Sequence, residues 1–241
     1  LYLRAIEQDP ERVSAYLGKA RIEAQLGRAS DSEQTLLAAR QASPVALEPR
    51  LALFSFYAFN QQNTEALKTI DDAIKAFPDQ VDLYITKARF LIRQDQAEHA
   101  VAVLFEAVAV APEDSKPLMA LATLYDSRNE RDKAKKAYLK ALALQPDDLV
   151  IKIRLARFYL AGGDAQAAEE IIDAILQERA NHFPSRLLKA ELLVAQRRYG
   201  EALTVLDGLI VEEPNAARAY YFTALAHLGQ SEHKAARTAL Q

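Results

Sequence analysis

The chain has 241 residues, 50% of them hydrophobic and 26% charged, with a net charge of −3, which fits a globular class. It lacks the basic surplus of a general phosphate-backbone binder, so nucleic acid is not an expected partner. There is no cysteine, which excludes disulfides, thiolate catalysis and cysteine-ligated zinc or iron–sulfur centres.

From the first residue the chain runs through "LYLRAIEQDP" and stops at Pro10. The same stop returns in "ARQASP" at Pro44, "AIKAFPDQ" at Pro78, "AVAVAPED" at Pro112, "ALALQPDD" at Pro146 and "IVEEPN" at Pro214. Proline lacks an N–H and clashes with the preceding turn, so helices end just before it. These prolines lie on one grid of 34 residues, with Ala180 the single missed beat. Other columns keep the same spacing. Ala20, Ala88, Ala122, Ala156, Ala190 and Ala224 form one small column, and Ser32, Ala66, Ala100, Ala134, Ala168, Ala202 and Ala236 another. A third runs Ala5, Ala39, Ala73, Ala107 and Ala141, then becomes Ile175 and Leu209. Large residues sit between them at Tyr2, Leu36, Ile70, Leu104, Tyr138, Ile172, Leu206 and Leu240.

Within each beat the apolar spacing is helical and breaks once. Residues 116–128 and 132–144 illustrate the two halves, separated by the polar "SRNERD". Ser30, Thr64 and Asp132 share one column and are N-cap types, which places the second helix start there. Pro49, Pro117 and Pro184 fall near the starts of first helices, where a missing N–H is harmless. Gly162 and Gly163 fall in the turn between the halves. The predicted unit is a helix–turn–helix hairpin. One hairpin cannot bury its apolar face alone, so such units stack.

A 34-residue helical hairpin with this small, large and proline pattern resembles the tetratricopeptide repeat family. The resemblance frames 1–241 as a single array. It has six full repeats, 13–46, 47–80, 81–114, 115–148, 149–182 and 183–216, with 1–12 and 217–241 as partial ones. It implies an all-α, right-handed α-solenoid superhelix of antiparallel helix pairs with a concave wall of first helices. Tryptophan, frequent early in the family's first helix, is absent; Tyr16, Tyr84 and Tyr220 stand in that column. Phe54 replaces the column alanine, with Phe56, Tyr57 and Phe59 nearby. That cluster is either a locally repacked core or an aromatic contact patch, with Phe59 its exposed member.

Carrying the family's ligand-facing columns onto this chain gives Leu17, Leu51, Ile85, Met119, Ile153, Leu187 and Tyr221 as an apolar floor. Arg21, Arg89 and Arg157 stud it in alternate repeats, with Arg93 one turn beyond Arg89, and Phe59 joins as an aromatic contact. Such a surface suits a protein or peptide ligand with acidic or carbonyl acceptors. The competing expectation is that these arginines pair with acids on adjacent helices. The family's carboxylate clamp is not matched: Leu17, Arg21, Ala52, Asp82 and Thr86 occupy its positions. No catalytic motif occurs, and His99, His182, His227 and His233 lack metal-ligand spacing. The expectation is therefore no enzyme, no cofactor and no metal. Lys133, Lys135, Lys136 and Lys140 read as a solvated face without an interleaved aromatic platform. Glu169–Glu170 and Asp71–Asp72 read as acid pairs on the solvated convex side.

The leading functional expectation is a non-catalytic scaffold holding a partner segment in a concave groove. The alternative is a structural subunit or spacer of a larger assembly, such as a bacterial envelope or exopolysaccharide-export system, acting through end-to-end or convex-face packing. The chain begins at Leu1 and reads as an excerpt. Tyr2, Ala5, Ile6, Ala236 and Leu240 are interior columns at the two ends, which points to further repeats or partner domains outside the excerpt and to self-association through uncapped repeat ends. No run approaches the ~20 apolar residues of a membrane span, so no membrane insertion is expected; cytoplasm and periplasm both remain open, with a lean to the envelope.

Overall fold

A computed structural model describes residues 1–241. Every regular element is a helix, and the chain forms two compact units, Leu1–Ala120 and Leu121–Gln241. The first unit opens with α1 (Tyr2–Gln8). Three helix pairs follow: α2 (Val13–Gln25) with α3 (Ala29–Ala42), α4 (Glu48–Phe59) with α5 (Asn63–Ala76), and α6 (Val81–Arg93) with α7 (Ala97–Val110). Helix α8 (Ser115–Ser127) carries the chain into the second unit. There α9 (Arg131–Leu144) packs on α10 (Leu149–Ala161), which pairs with α11 (Ala165–Glu178). Helix α12 (Phe183–Ala195) pairs with α13 (Tyr199–Glu212), and α14 (Ala217–Gly229) with α15 (His233–Ala239). Within each unit successive first helices also touch, α2 against α4, α10 against α12 and α12 against α14.

The periodic columns are the core. The first-helix alanines from Ala20 to Ala224 and the second-helix column from Ser32 to Ala236 are all buried. The two columns meet across a hairpin: Ser32 Oγ donates to the Ala20 carbonyl at 2.9 Å, a contact only small side chains allow. Leu36, Ile70, Leu104, Tyr138, Ile172 and Leu206 fill the space between and are buried too, while Leu240, beyond α15, is exposed. Phe54 is buried and meets Phe90 edge-on at 5.4 Å. The second repeat thus repacks its core around a ring where its neighbours carry alanine.

Each of these six pairs, and α8 with α9, is joined by one three-residue turn. The residue two past the first helix has positive φ in all seven: Gly27, Gln61, Asp95, Asn129, Gly163, Arg197 and Ser231, again 34 apart. The next amide bonds back to a carbonyl five residues earlier, as in Arg28 to Glu23 and Arg198 to Leu193. This is the Schellman closure, which satisfies carbonyls that the helix end leaves open. It also corrects the capping expectation. Ser30, Thr64 and Asp132 are each the second residue of their helix, and the N-caps are Arg28, Gln62 and Glu130, none with a side-chain cap bond. The turn is so short that the residue closing one helix must also start the next, so backbone geometry fixes that position. Side-chain capping is found instead at Asp148, which accepts from the Val150 and Ile151 amides, and at Asp164, which accepts from Ala167. Pro49 and Pro184 sit in the first turns of α4 and α12, as expected. Gly162, at the C-cap of α10, leaves room for the Arg131 side chain, which a Cβ there would strike.

Candidate protein-binding faces

In the first unit, α2, α4 and α6 carry the predicted contact residues. Arg21, Arg89 and Arg93 are exposed, and Phe59, at the last turn of α4, is 87% exposed. Arg21 and Arg89 have no carboxylate partner, so the adjacent-helix pairing considered for them does not occur, while the Arg93 guanidinium sits 5.9 Å from the Phe90 ring centroid. Leu17 and Leu51 are half-buried, packed against the unit's core cluster. Ile85 is only 6% exposed. It supports the face and offers a ligand almost no surface.

In the second unit, Ile153 is half-buried against the α10–α12 core and Leu187 is 7% exposed, so it too is core. Tyr221 on α14 is 52% exposed and meets Phe222 edge-on at 5.2 Å. Met119, on α8 at the end of the first unit, is half-buried. Arg157 is half-buried on α10, and its Nε is buried with no hydrogen-bond partner. Glu191 on α12 faces it, but that carboxylate bonds Arg218 of α14, whose Nη2 donates to Oε2 at 2.9 Å. Burial, then the neighbouring Arg218, press the Arg157 guanidinium below its ordinary pKa, with Arg154 adding to them and Glu191 opposing. Arg154 and Arg218 were not among the predicted residues. Their signal lies between repeats, 27 residues apart for Arg218 and Glu191, and a reading of one column at a time passes over it.

The opposite sides carry structural chemistry. The acids Asp71 and Glu169, expected to be solvated, reach the next first helix: Asp71 Oδ1 lies 2.7 Å from Lys87 Nζ, and Glu169 Oε1 2.8 Å from Lys189 Nζ. Lys189 also donates to Asp173 at 2.7 Å, and Gln196 to the other Glu169 oxygen at 3.0 Å. The hydrogen bond from Lys189 first, and that from Gln196 next, hold the Glu169 carboxyl below its usual range. Lys19, in the same column as Lys87 and Lys189, has Leu3 where they have an acid; it turns instead to Glu23 at 2.8 Å. The lysine run needs a second correction, because aromatics do interleave: Lys133 lies 5.3 Å from the Tyr125 ring and Lys135 5.3 Å from that of Tyr159. Those rings come from first helices, out of reach of a local reading of α9. A cleft of about 700 Å³ lined by Arg40, Arg50, Asp72 and Lys75 looks basic. However, Arg40 and Lys75 lie in the last turns of α3 and α5, where cations offset the helix dipole. Two histidines are held locally, His182 by Ser185 and His227 by Glu232.

Comparison with known proteins agrees with these columns. The tetratricopeptide repeat model matches residues 127–192, and a second model of that repeat matches 187–241. The model of the Chs5p-Arf1p-binding proteins matches residues 4–143. The chain belongs to the tetratricopeptide repeat family. Solved structures share its fold. A tetratricopeptide repeat protein from Parabacteroides merdae is 16% identical with a TM-score of 0.68, over 94% of this chain and 90% of its own. PilW, a type IV pilus biogenesis factor, is 16% identical with a TM-score of 0.62, over 86% and 96%. PilF of Pseudomonas aeruginosa is 19% identical with a TM-score of 0.57, over 89% and 98%. No curated protein sequence matches the chain. As in the expectation from sequence, no helix of this tetratricopeptide repeat chain is long and apolar enough to cross a membrane.

Proposed function

We propose that the chain is a non-catalytic protein–protein interaction scaffold that receives a partner segment on the exposed faces of its first helices. The observation that supports this most strongly is on the first unit: Arg21 and Arg89 carry unpaired guanidiniums, and Phe59 leaves a ring 87% exposed on the helix between them in sequence. Arginine and aromatic side chains are the types that anchor interfaces, because they combine large contact area with directional donors. On the second unit Arg157 and Tyr221 play the corresponding parts; Leu17, Leu51 and Met119 are the apolar floor of the first unit and Ile153 that of the second. Residues 1–241 act as one array in the repeats framed above. The partner segment has acidic character, matching the guanidiniums.

The test is capture from extracts of the source cells by the purified chain and by an Arg21→Glu/Arg89→Glu variant whose helix content is checked by circular dichroism. A partner held by the parent and lost by the folded variant supports the reading; equal retention by both overturns it for this face. The second reading is a structural subunit of an envelope or export assembly acting through the repeat ends. Its support is analogy of fold with PilW, described as a pilus biogenesis factor. It predicts concentration-dependent self-association in sedimentation, unaffected by the arginine substitutions.

A further inference from the structure

The sequence breaks its own columns at one junction of the first unit. Ile6, Ile74, Val108, Leu142, Leu176 and Ile210 form an aliphatic column late in the second helices, and the residue on that grid in α3 is Arg40. Arg40 is half-buried and makes no hydrogen bond or ion pair. The helix dipole favours a cation in the last turn of α3, yet a partly desolvated guanidinium without a partner is less stable there than a packed aliphatic side chain. Arg50 is the second departure. It stands in the column of Tyr16, Tyr84 and Tyr220, in the first turn of α4, where the dipole opposes a cation. Its Nη1 donates to the Ala46 carbonyl at 2.7 Å and its guanidinium lies 5.5 Å from the Phe77 ring centroid, so the side chain is fixed with Nε and Nη2 unused. Arg186, in the same column, donates to Glu212, 26 residues on. The equivalent residue after Arg50 is Ala76. Arg40, Arg50, Lys75 and Ala76 line one cleft of about 700 Å³ together with Gln41 and Asp72. Lys75 and Asp72 make no ion pair either. Where the sixth repeat sets an arginine beside its own carboxylate, the second has three cations, one acid and an alanine in the carboxylate's place.

We propose that this cleft binds a small phosphorylated polyol, of the sugar phosphate class, with its phosphoryl group held by Arg40, Arg50 and Lys75 and its hydroxyls by Asp72 and Gln41. The guanidinium fork matches phosphoryl oxygens in pairs, and Arg50 is already ordered by Ala46 and Phe77. A phosphate monoester carries about −1.5 to −2 at neutral pH, which matches three cations set against Asp72. The C-terminal ends of α3 and α5 offset about half a charge each, and the surplus remains positive. Asp72 can only accept hydrogen bonds, so the ligand must also bring donors, as a polyol does and a bare inorganic anion does not. The cleft volume lies within the roughly 300–1,000 Å³ of small-molecule sites. A bilayer surface fits less well, because the site is concave and the chain around it is acidic overall, at −3. The site is independent of the partner-binding reading, since none of its lining residues is assigned to the partner segment.

The full chain, labelled with nitrogen-15, is titrated with glucose 6-phosphate, glucose, inorganic phosphate, sulfate and vesicles containing phosphatidic acid, and the backbone amides lining the cleft are followed. Glucose 6-phosphate is expected to shift them saturably and more tightly than inorganic phosphate or sulfate, and glucose to leave them in place. Arg40→Leu and Arg50→Tyr return each position to its own column, so each should keep or raise the melting temperature while weakening glucose 6-phosphate about tenfold. Ala76→Glu supplies the carboxylate that Arg186 finds in Glu212, and should weaken the ligand by a similar factor in a folded chain. The absence of any saturable shift with glucose 6-phosphate would overturn the proposal. So would equal affinity for glucose 6-phosphate, phosphate and sulfate, which marks an adventitious ion only, or binding confined to the vesicles. Unchanged binding in Arg40→Leu and Ala76→Glu, or a lower melting temperature in both Arg40→Leu and Arg50→Tyr, would overturn it as well, the last by showing that the two arginines hold the fold.

Discussion

The column that sets how one repeat meets the next can be rewritten by exchanging its two partners together. Asp71 and Lys87, and Asp173 and Lys189, are ion pairs sixteen residues apart, at 2.7 Å in both cases. The same two columns hold Leu37 with Leu53, which share a core cluster, and Leu139 with Leu155. The fold thus accepts an acid with lysine, two leucines, or a mixed pair such as Leu3 with Lys19. Lys189→Leu alone removes two charge-assisted bonds, to Glu169 and Asp173. Each would be worth about 1.5–3 kcal/mol if dry. The Asp173 side chain is 46% exposed and that of Glu169 30%, however. Solvent screening brings each bond down to about 0.5–1 kcal/mol and the expected loss to about 1–2 kcal/mol. Asp173→Leu alone costs about 0.5–1 kcal/mol by the same discount. The double variant Asp173→Leu/Lys189→Leu is expected to lose less than Lys189→Leu alone, a coupling of about 1 kcal/mol. Urea unfolding followed by far-ultraviolet circular dichroism, with all four proteins at one salt concentration, measures this. Losses that add to within about 0.3 kcal/mol would show that the two columns do not read each other.

The turn column gives a stabilising change. Arg197 holds φ of +61° and its side chain makes no ion pair; Arg197→Gly should raise stability by about 0.5–1 kcal/mol, seen as a higher urea midpoint with unchanged slope. Burial pushes the Glu23 carboxyl up, but the hydrogen bonds from Lys19 and Thr35 outweigh it and leave the pKa below the ordinary value. The folded state then binds that proton less tightly than the unfolded one. The stabilisation is complete above the ordinary glutamate range and is lost as pH falls through the folded value, so Glu23→Gln should flatten the acid limb of the stability profile. Tyr57 behaves oppositely, since burial and then the hydrogen bond it donates to Glu33 raise its pKa to about 12. Its contribution is present below pH 10 and disappears toward about 12, and Tyr57→Phe should remove that alkaline decline.

The sequence carries the repeat because sterics at a helix crossing admit few side chains. The small columns read from spacing alone are buried except at Ala5 in α1, which is half-buried, and Phe54, which stands where neighbouring repeats have alanine, is buried and forms its own ring contact. Turn geometry was less legible. A left-handed residue recurs seven times, yet only Gly27, Gly163, Asn129 and Asp95 are types that favour it, while Gln61, Arg197 and Ser231 are held there by the closure around them. On the candidate faces, spacing distinguished the exposed Arg21, Arg89 and Phe59 but could not separate Ile85 and Leu187, which tertiary packing buries, from the half-buried Leu17 and Ile153. The Arg157 environment depends on α12 and α14, so neither its unpaired Nε nor the part played by Arg218 can be seen from α10.

On the proposed reading, partners meet the first helices and leave the second ones alone. A photoreactive phenylalanine analogue at Phe59, on α4, and separately at Phe105, on α7, tests it in source cells, because both rings are exposed and lie in the same unit. A discrete crosslinked partner is expected from position 59, lost with Arg21→Glu/Arg89→Glu, and none of that species from position 105. The same partner crosslinked from 105 and absent from 59 would contradict it.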